Sequence, residues 1–185
     1  MVYYSKIAIF DLDDTLYKGN SHIEWLCWYY NTSLFKSILF KVIGKCLPAI
    51  QRIIMWKLYN KAPMNSKANF TLPFRMEIVK LLQEKKKNGY HIVIVSNAPK
   101  ELIRNAASIL KVEFINAEIG KKAKTFKSIY HFNKLFVCTD NKTDLDILKI
   151  SDSSIIICKK KDYSFYLKKL SNKNLNFISK EELND

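Results

Sequence analysis

Short apolar stretches recur along the chain, and they contain few of the alternating polar positions that mark a half-exposed strand. Continuous apolar stretches rich in β-branched residues are typical of strands that are buried on both faces of a parallel sheet. The pattern therefore predicts five strands, at residues 6–10, 90–96, 112–115, 135–139 and 154–158.

Stretches with helical spacing of apolar residues lie between most of these strands. Asn88 and Gly89 form a stop signal at the end of the first helical stretch, and Pro99 lies near the first turn of the second helical stretch. Strands that alternate with helices indicate an α/β fold, here a Rossmann-like open, mainly parallel sheet with helices on both faces. The helices are predicted at residues 74–89, 99–110, 125–132 and 143–150.

The connection between the first strand and the helix near Pro73 is much longer than the others. It comprises residues 17–72, whereas an α/β connection usually needs only a few residues. Because its apolar residues recur with helical spacing, we predict a helical cap sub-domain at residues 17–72. The α/β core domain is then formed by residues 1–16 and 73–185. The cap would lie above the carboxyl edge of the sheet, where ligands bind in such folds.

The composition permits a substantial core but does not select a partner. The chain is 48% hydrophobic and 13% aromatic, and its net charge is +14. That charge suits an anionic partner such as a phosphorylated substrate, nucleic acid or a membrane surface. Lysines are frequent along the whole chain, however, so a general compositional bias explains the charge equally well.

The cysteines and the N-terminus both favour a cytoplasmic protein. The cysteines form no Cys-x-x-Cys pair and have apolar neighbours, so we expect buried free thiols in a reducing compartment. The first apolar run ends in Asp11, unlike a signal peptide. Lysines and Pro48 interrupt the most apolar segment, residues 34–59, which disfavours a membrane-spanning helix. The cysteines are Cys27, Cys46, Cys138 and Cys158.

Three aspartates follow the first predicted strand directly. In an extended chain, residues two apart point the same way, so Asp11 and Asp13 should share a direction while Asp14 points elsewhere. Two converging carboxylates need a cation, and Mg²⁺ is the natural one. A calcium-binding EF-hand loop is excluded because Leu16 occupies the position that requires glycine.

Polar residues also follow two other predicted strands. Asp140 and Asp144 come after the strand at residues 135–139, and Ser96 and Asn97 end the strand at residues 90–96. The segment GKKAKTF adds lysines near the start of a helix. The ends of these strands and the lysine-bearing segment would converge on one crevice at the edge of the sheet.

The stretches DLDDT and VIVSN, a lysine at the start of a helix, and TDNKTD follow one another in the chain. In this order they resemble the four sequence motifs of the haloacid dehalogenase superfamily. The resemblance covers roughly residues 5–160. The long helical insertion after the first motif is similar to the phosphoserine-phosphatase-like branch, whose cap lies there. Thr139 departs from the pattern, because the family usually has glycine at this position, and its Cβ would crowd the backbone near the metal.

The resemblance implies a Mg²⁺-dependent phosphatase that hydrolyses a phosphate monoester through an aspartyl-phosphate. Asp11 would be the nucleophile and Asp13 the general acid and base. The metal residues would be Asp11, through its carboxylate, Asp13, through its backbone carbonyl, and Asp140. Asp144 would position the site or its waters. The phosphate would be bound by the Ser96 hydroxyl, the Asn97 backbone N–H and a lysine.

Three lysines compete for the phosphate-binding role. Lys122 heads the apolar face of its predicted helix, and we therefore favour it over Lys124 and Lys121. His22 and Glu24 follow the first motif closely and are candidate substrate contacts. The expected partner is a small phosphorylated substrate.

Other functions remain alternatives at this stage. The positive charge would also suit a non-enzymatic binding protein for nucleic acid or an anionic membrane, although no nucleic-acid-binding module is recognisable and no specific nucleic acid is expected. Residues 34–59 combine apolar and basic residues like an interfacial helix, which would suit weak membrane association and a phosphatase of lipid-linked phosphates. We favour the simpler interpretation that these apolar residues pack within the small core of the cap.

Overall fold

In the computed structural model, which describes residues 1–171 and 174–183, the chain forms one open α/β sheet. Six parallel strands are found in these residues, in the order β3-β2-β1-β4-β5-β6. Residues 172–173 and 184–185 of the predicted core domain lie outside this description. The strands are β1 (Val2–Phe10), β2 (His91–Ser96), β3 (Glu113–Asn116), β4 (Tyr130–Thr139), β5 (Ser153–Cys158) and β6 (Asn174–Ser179).

Strand β1 lies at the centre of the sheet and brings three strand ends together. Its last residue, Phe10, is in register with Ile94 of β2 and with Cys138 of β4. Parallel strands share their carboxyl edge, so the segments that follow β1, β2 and β4 are neighbours. The chain order also reverses at β1 and β4, which is where such sheets form a ligand-binding crevice. The predicted Rossmann-like fold is confirmed.

The two faces of the sheet are covered by different helices. Successive side chains of β1 point to opposite faces, so they contact different helices. Ala8 and Phe10 face a core that includes α5 and α6, whereas Ile7 and Ile9 face a second core that includes α7, α8 and α9. All four side chains are essentially inaccessible to water. The helices are α5 (Met76–Lys87), α6 (Lys100–Leu110), α7 (Lys122–Lys127), α8 (Leu145–Ile150) and α9 (Tyr163–Lys169).

The helix predicted at residues 125–132 is wrong in its second half. Helix α7 ends at Lys127, and β4 already begins at Tyr130. The amino-terminal half of β1 pairs with this part of β4, with Val2 opposite Tyr130, so pairing overrides the local helical spacing.

The last strand and helix, β6 and α9, were missed. Strand β6 has alternating polar residues, and its pairing with β5, from Ser153 opposite Asn174 to Cys158 opposite Ser179, stabilises it as a strand. Because this partner lies outside the local sequence, the isolated segment carried too weak a signal.

A helical segment lies between β1 and α5, and it has its own core. Its helices pack around buried aromatic residues such as Trp25 and Tyr59, and Leu102 of α6 joins the same cluster. The two ends of the segment are held side by side: the Lys18 N–H donates to the Pro73 carbonyl at 2.9 Å. Its helices are α1 (Ser21–Tyr29), α2 (Ile38–Cys46), α3 (Pro48–Lys61) and α4 (Met64–Lys67).

The four cysteines are free thiols, but they are not all buried. Cys138 and Cys158 are buried, Cys27 is partly buried and Cys46 is exposed at the end of α2. The expectation that all four would be buried is therefore wrong for Cys46, because apolar neighbours in sequence need not form a core. Among the described residues, no helix is both long enough and apolar enough to cross a membrane.

We expect Leu102→Ala to lower the free energy of unfolding by about 2–5 kcal/mol, because it opens a cavity where α6 meets the helical segment. Leu102 is fully buried there. On the same helix Ile109 is 56% exposed, and Ile109→Ala should change stability by about 0.5 kcal/mol or less. Urea unfolding of both variants measures the difference. Equal losses in the two variants would contradict the packing described here.

Candidate active site

The segments after β1, β2 and β4 form one wall of a cavity of about 220 Å³ at the carboxyl edge of the sheet. The opposite wall comes from α1 and α3 of the helical segment. Residues from both walls line it: Asp11, Asp13, Asp14, Asn20, His22, Ile23, Gln51, Arg52, Met55, Trp56, Asn97, Ala98, Asp140 and Asn141.

Asp11 is buried and held by its backbone at the end of β1. Its N–H donates to the Cys138 carbonyl at 2.9 Å, which continues the ladder between β1 and β4 by one residue. Its carboxylate accepts a hydrogen bond from Lys122 Nζ, with Oδ1 at 2.9 Å. The sheet thus fixes the backbone of Asp11, and one lysine fixes its side chain.

Lys122 bridges two aspartates in the interior of the protein. Its Nζ also donates to Asp144 Oδ2 at 2.7 Å, and the side chains of all three residues are nearly inaccessible to water. Burial alone would lower the pKa of Lys122, but the charges of Asp11 and Asp144 outweigh it and raise that pKa, so the lysine is charged. A buried cation is tolerable here only because it is paired and hydrogen-bonded on both sides.

Of the three lysines that the sequence left open, the structure brings Lys122 into this cluster. Its position at the start of α7, on the side of buried Phe126, directs it towards the sheet. Lys121 instead pairs with Glu118 at 2.5 Å on the surface, and Lys124 is exposed.

Thr139, which replaces the usual glycine, is part of the hydrogen-bond network. Its Oγ1 donates to Asp144 Oδ2 at 2.6 Å and accepts a hydrogen bond from the Asn141 N–H at 3.1 Å. The threonine therefore fixes both the Asp144 carboxylate and the turn that follows β4.

Asp13 lies in a turn, Leu12–Leu16, that interrupts the regular strand after Asp11, although Asp13 itself has extended backbone angles (φ −68°, ψ 135°). Asp14 has a positive φ of 54°, and its N–H donates to the Gly19 carbonyl at 3.0 Å. The alternation of an extended strand therefore stops at this turn. As a result Asp14 lines the cavity together with Asp11 and Asp13, and the expectation that it points away is wrong.

Burial gives the Asp13 carboxyl a raised pKa of about 7. The charges of Asp11 and Asp14 raise it further, while a hydrogen bond from the Ser21 N–H to Oδ1 at 2.8 Å opposes the shift. A carboxyl group with such a pKa is partly protonated near neutral pH and is suited to give and take a proton.

Asp140 has a partner that the sequence did not indicate. Lys180 Nζ donates to Asp140 Oδ2 at 2.8 Å, and the Thr15 hydroxyl donates to Oδ1 at 3.3 Å. Burial raises the pKa of Asp140 to about 7 in spite of Lys180. Lys180 follows β6 directly, so it reaches the site because a sixth parallel strand ends at the same edge.

Ser96 and Asn97 lie where β2 ends, as predicted from their position. Ser96 is buried and its Oγ accepts a hydrogen bond from the Ala98 N–H at 3.3 Å, while Asn97 lines the cavity. Asn116 holds this loop, because its amide donates to the Ala98 carbonyl at 2.8 Å.

Of the two candidate substrate contacts, only His22 lines the cavity. Burial lowers the pKa of His22 to about 4, and its Nε2 lies 3.3 Å from the Met55 carbonyl. The imidazole is therefore neutral at physiological pH. Glu24 does not line the cavity and pairs with Lys36 at 2.6 Å.

Arg52 and Trp56 of α3 also line the cavity and were missed by sequence reasoning. They lie four residues apart and so share one side of the helix. The sequence shows that the two residues share one side of a helix. It does not show that this side faces the ends of the strands.

The donor set suits a hard divalent cation held by few protein ligands. Within residues 1–171 and 174–183, no three carboxylate, imidazole or thiol side chains form a group that could hold an ion together. The Asp144 carboxylate is engaged by Lys122 and Thr139. The carboxylates that line the cavity are Asp11, Asp13, Asp14 and Asp140, and Asp144 is not among them. Mg²⁺ commonly binds through one or two carboxylates while it keeps several waters.

We expect His22 to make the protein less stable in acid. Its pKa is about 4 when folded and 6.5 in the reference state, so the unfolded chain binds more protons between these values and stability falls as the pH drops from 6.5 to 4. The full effect is about 3 kcal/mol. His22→Asn should remove this part of the pH dependence in urea unfolding. His131→Asn, at an exposed position, is the control; identical pH profiles for the two variants would contradict the assignment.

Comparison with known structures shows the same fold in phosphatases. A substrate-bound phosphoserine phosphatase has 15% sequence identity and a TM-score of 0.64, with 97% of each chain covered. A phospho-aspartyl intermediate analogue of phosphoserine phosphatase has 15% identity and a TM-score of 0.62, with 94% of this chain and 93% of that chain covered. A phosphoserine phosphohydrolase-like protein from Francisella tularensis subsp. tularensis SCHU S4 has 18% identity and a TM-score of 0.59, with 92% and 94% covered.

The sequence has no significant match among curated proteins. The model of the haloacid dehalogenase-like hydrolase family, in contrast, matches residues 8–144, which is well over half of the chain and includes Asp11, Ser96, Lys122 and Asp144. The resemblance noted from the motifs is therefore confirmed, and the chain belongs to the haloacid dehalogenase-like hydrolase family.

Proposed function

We propose that this protein is a Mg²⁺-dependent phosphatase that hydrolyses a phosphate monoester through an aspartyl-phosphate on Asp11. The observation that carries the proposal is the buried Lys122 that bridges Asp11 and Asp144 beside the cavity. A fixed carboxylate, a charged lysine and a carboxyl group with a pKa of about 7 meet there, and these are the groups that phosphoryl transfer requires.

Asp11 acts as the nucleophile. A carboxylate oxygen attacks phosphorus, the bond from phosphorus to the leaving oxygen breaks, and the phosphoryl group is transferred to Asp11. Water then attacks this phosphorus, the acyl phosphate bond to Asp11 breaks, and inorganic phosphate is released. The hydrogen bonds of Asp11 to Cys138 and Lys122 hold the attacking group in place for both steps.

Asp13 acts as general acid in the first step and as general base in the second. Its protonated form gives a proton to the leaving oxygen, and its ionised form then takes a proton from the attacking water. The Ser21 N–H, which donates to Oδ1, fixes the direction of this side chain.

Lys122, Ser96 and the Asn97 backbone N–H bind the oxygens of the phosphoryl group. Lys122 is already desolvated and charged, so it offsets negative charge without reorganisation at the moment of reaction. Asp144 acts as a positioning residue, because its Oδ2 accepts a hydrogen bond from Lys122 and is itself held by the Thr139 hydroxyl.

Mg²⁺ would be held by the carboxylates of Asp11 and Asp140 and by the backbone carbonyl of Asp13, with water in the remaining positions. When bound, it supplies positive charge beside the phosphoryl oxygens and beside Asp11. Asp144 contributes through Lys122 rather than as a direct ligand, because it does not line the cavity and its Oδ2 accepts hydrogen bonds from Lys122 and Thr139.

The helical segment, residues 17–72, serves as the cap over the core formed by residues 1–16 and 73–185. It supplies the wall that meets the leaving group, with His22, Arg52 and Trp56. We propose a small phosphorylated substrate. The free thiols, one of them exposed at Cys46, suit a reducing compartment such as the cytoplasm.

Purified protein should hydrolyse 4-nitrophenyl phosphate when Mg²⁺ is present, and chelation of the metal should stop the reaction. Asp11→Asn should lower kcat by roughly 10⁴-fold or more, because it removes the nucleophile. Lys122→Ala should also lose most activity, whereas Lys124→Ala is the matched control and should retain it. Equal turnover by the wild type and Asp11→Asn would show that the mechanism is wrong.

Lys180 should weaken metal binding, because its ammonium group occupies an oxygen of Asp140 and repels a second cation. We therefore expect Lys180→Met to tighten Mg²⁺ binding about tenfold, or about 1.4 kcal/mol. Isothermal titration with Mg²⁺ alone measures this without any turnover.

Lys142→Met is the control for this experiment, since Lys142 forms a comparable ion pair with Asp162 at 2.6 Å on the surface. It should leave the affinity unchanged. Unaltered or weaker Mg²⁺ binding in Lys180→Met would argue against Asp140 as a ligand.

A further inference from the structure

Helices α2 and α3 expose apolar side chains instead of burying them. Ile38 is 81% exposed and Leu39 67%, and the neighbouring apolar residues are also accessible. The favoured expectation that residues 34–59 pack within the core of the cap holds only for a minority of them: Phe35, Phe40, Met55 and Tyr59 are buried there, and the partly buried Leu58 packs against them. The exposed ones are Leu34, Ile38, Leu39, Val42, Leu47, Ile50, Ile53, Ile54 and Trp56.

Six of these exposed residues lie on the sides of the two helices that face away from the buried residues: Ile38, Leu39 and Val42 on α2, and Ile50, Ile53 and Ile54 on α3. On α2, helical spacing places Ile38, Leu39 and Val42 together and away from the buried Phe40. The two helices pack against each other through their inner sides, where the Gln51 amide donates to the Phe40 carbonyl at 2.9 Å. On α3, the residues Ile50, Ile53 and Ile54 lie opposite the buried Met55 and Tyr59.

We call these six residues and the lysines among them the α2–α3 surface; it consists of Ile38, Leu39, Lys41, Val42, Lys45, Ile50, Ile53, Ile54, Lys57 and Lys61. All of these residues are exposed. The surrounding sequence, residues 25–76, contains no aspartate or glutamate at all. It contains the basic residues Lys36, Lys41, Lys45, Arg52, Lys57, Lys61, Lys67 and Arg75.

The α2–α3 surface could bind a second copy of the chain, a nucleic acid or a membrane, and its combination of charge and exposed apolar area favours one of these partners. A second copy of the chain would bring two basic surfaces together, and like charges oppose that. Nucleic acid would satisfy the lysines but would leave the isoleucine and leucine side chains without partners. An anionic bilayer satisfies both, because apolar side chains enter the boundary of the acyl chains while lysines reach the headgroups.

We propose that the α2–α3 surface docks the protein reversibly on anionic lipid bilayers. The apolar side chains insert to the depth of the headgroup boundary, and the lysines bind the negative surface. On α3, Arg52 and Trp56 line the cavity, and they also line a shallow groove with Ile53 and Lys57 of the α2–α3 surface. Docking therefore brings the cavity wall next to the membrane. The proposal concerns binding alone and does not depend on the reaction at Asp11.

Flotation of the protein with vesicles tests the proposal. Vesicles of phosphatidylcholine with about 30% phosphatidylglycerol should carry the protein at low salt, and vesicles of phosphatidylcholine alone should carry much less of it. Raising the salt should reverse the binding. Lys41→Glu combined with Lys45→Glu should lower partition about 30-fold or more. Ile53→Ser combined with Ile54→Ser should lower it about tenfold or more.

Helix α9 offers a matched control, because it exposes Leu167 beside two lysines. Leu167→Ser combined with Lys168→Glu and Lys169→Glu removes as much charge and one apolar side chain from a different surface, and it should leave partition within about twofold. Circular dichroism and thermal unfolding establish that each variant is folded.

Three results would overturn the proposal. The first is equal partition of all variants, and the second is no flotation of the wild type with anionic vesicles. The third is a dimer in sedimentation that depends on Ile53 and Ile54 while vesicle binding is absent, because it would assign the surface to a second copy. Binding to anionic vesicles that only the α2–α3 variants lose supports the proposal, whether or not Asp11→Asn is active.

Discussion

The ion cluster of Lys122 with Asp11 and Asp144 is the interaction on which the site depends. It joins the segment after β1, the start of α7 and the turn after β4, all in the interior of the protein. Each charge has been removed from water, and neither aspartate would be stable there without the lysine. The cluster therefore fixes the direction of the Asp11 carboxylate and ties three elements of the sheet edge together.

The remaining carboxylates are kept near the cavity by weaker compensation. Asp13 relies on a backbone N–H, and Asp140 relies on the partly exposed Lys180, so that burial dominates and the pKa of each rises to about 7. Several weakly compensated carboxylates at one edge of the sheet are an environment that favours a bound cation. It contrasts with the rest of the chain, whose net charge is strongly positive.

The local sequence predicted the structure correctly where secondary structure and burial depend on residues that are close together in the chain. The continuous apolar runs located the inner strands, and the helical phase of Phe126 favoured Lys122 over Lys124 and Lys121 as the lysine directed towards the sheet. It failed where distant pairing decides, as for β6, and where the chain leaves regular structure, as at Asp14 with its positive φ. The local sequence also gave the wrong expectation for residues 34–59. Spacing reveals that a helix has an apolar side, but it does not reveal whether another part of the protein covers that side.

The sequence by itself determined the α/β alternation, the long helical segment after the first strand and the acidic and polar residues at strand ends, since each rests on periodicity or on adjacency to a strand. The tertiary structure decided which of these residues meet. Parallel pairing of β1 with β2 and β4 sets Asp11, Asn97 and Asp140 around one cavity, and a sixth strand adds Lys180. Contacts between residues more than a hundred positions apart are set by sheet order, which no local pattern encodes.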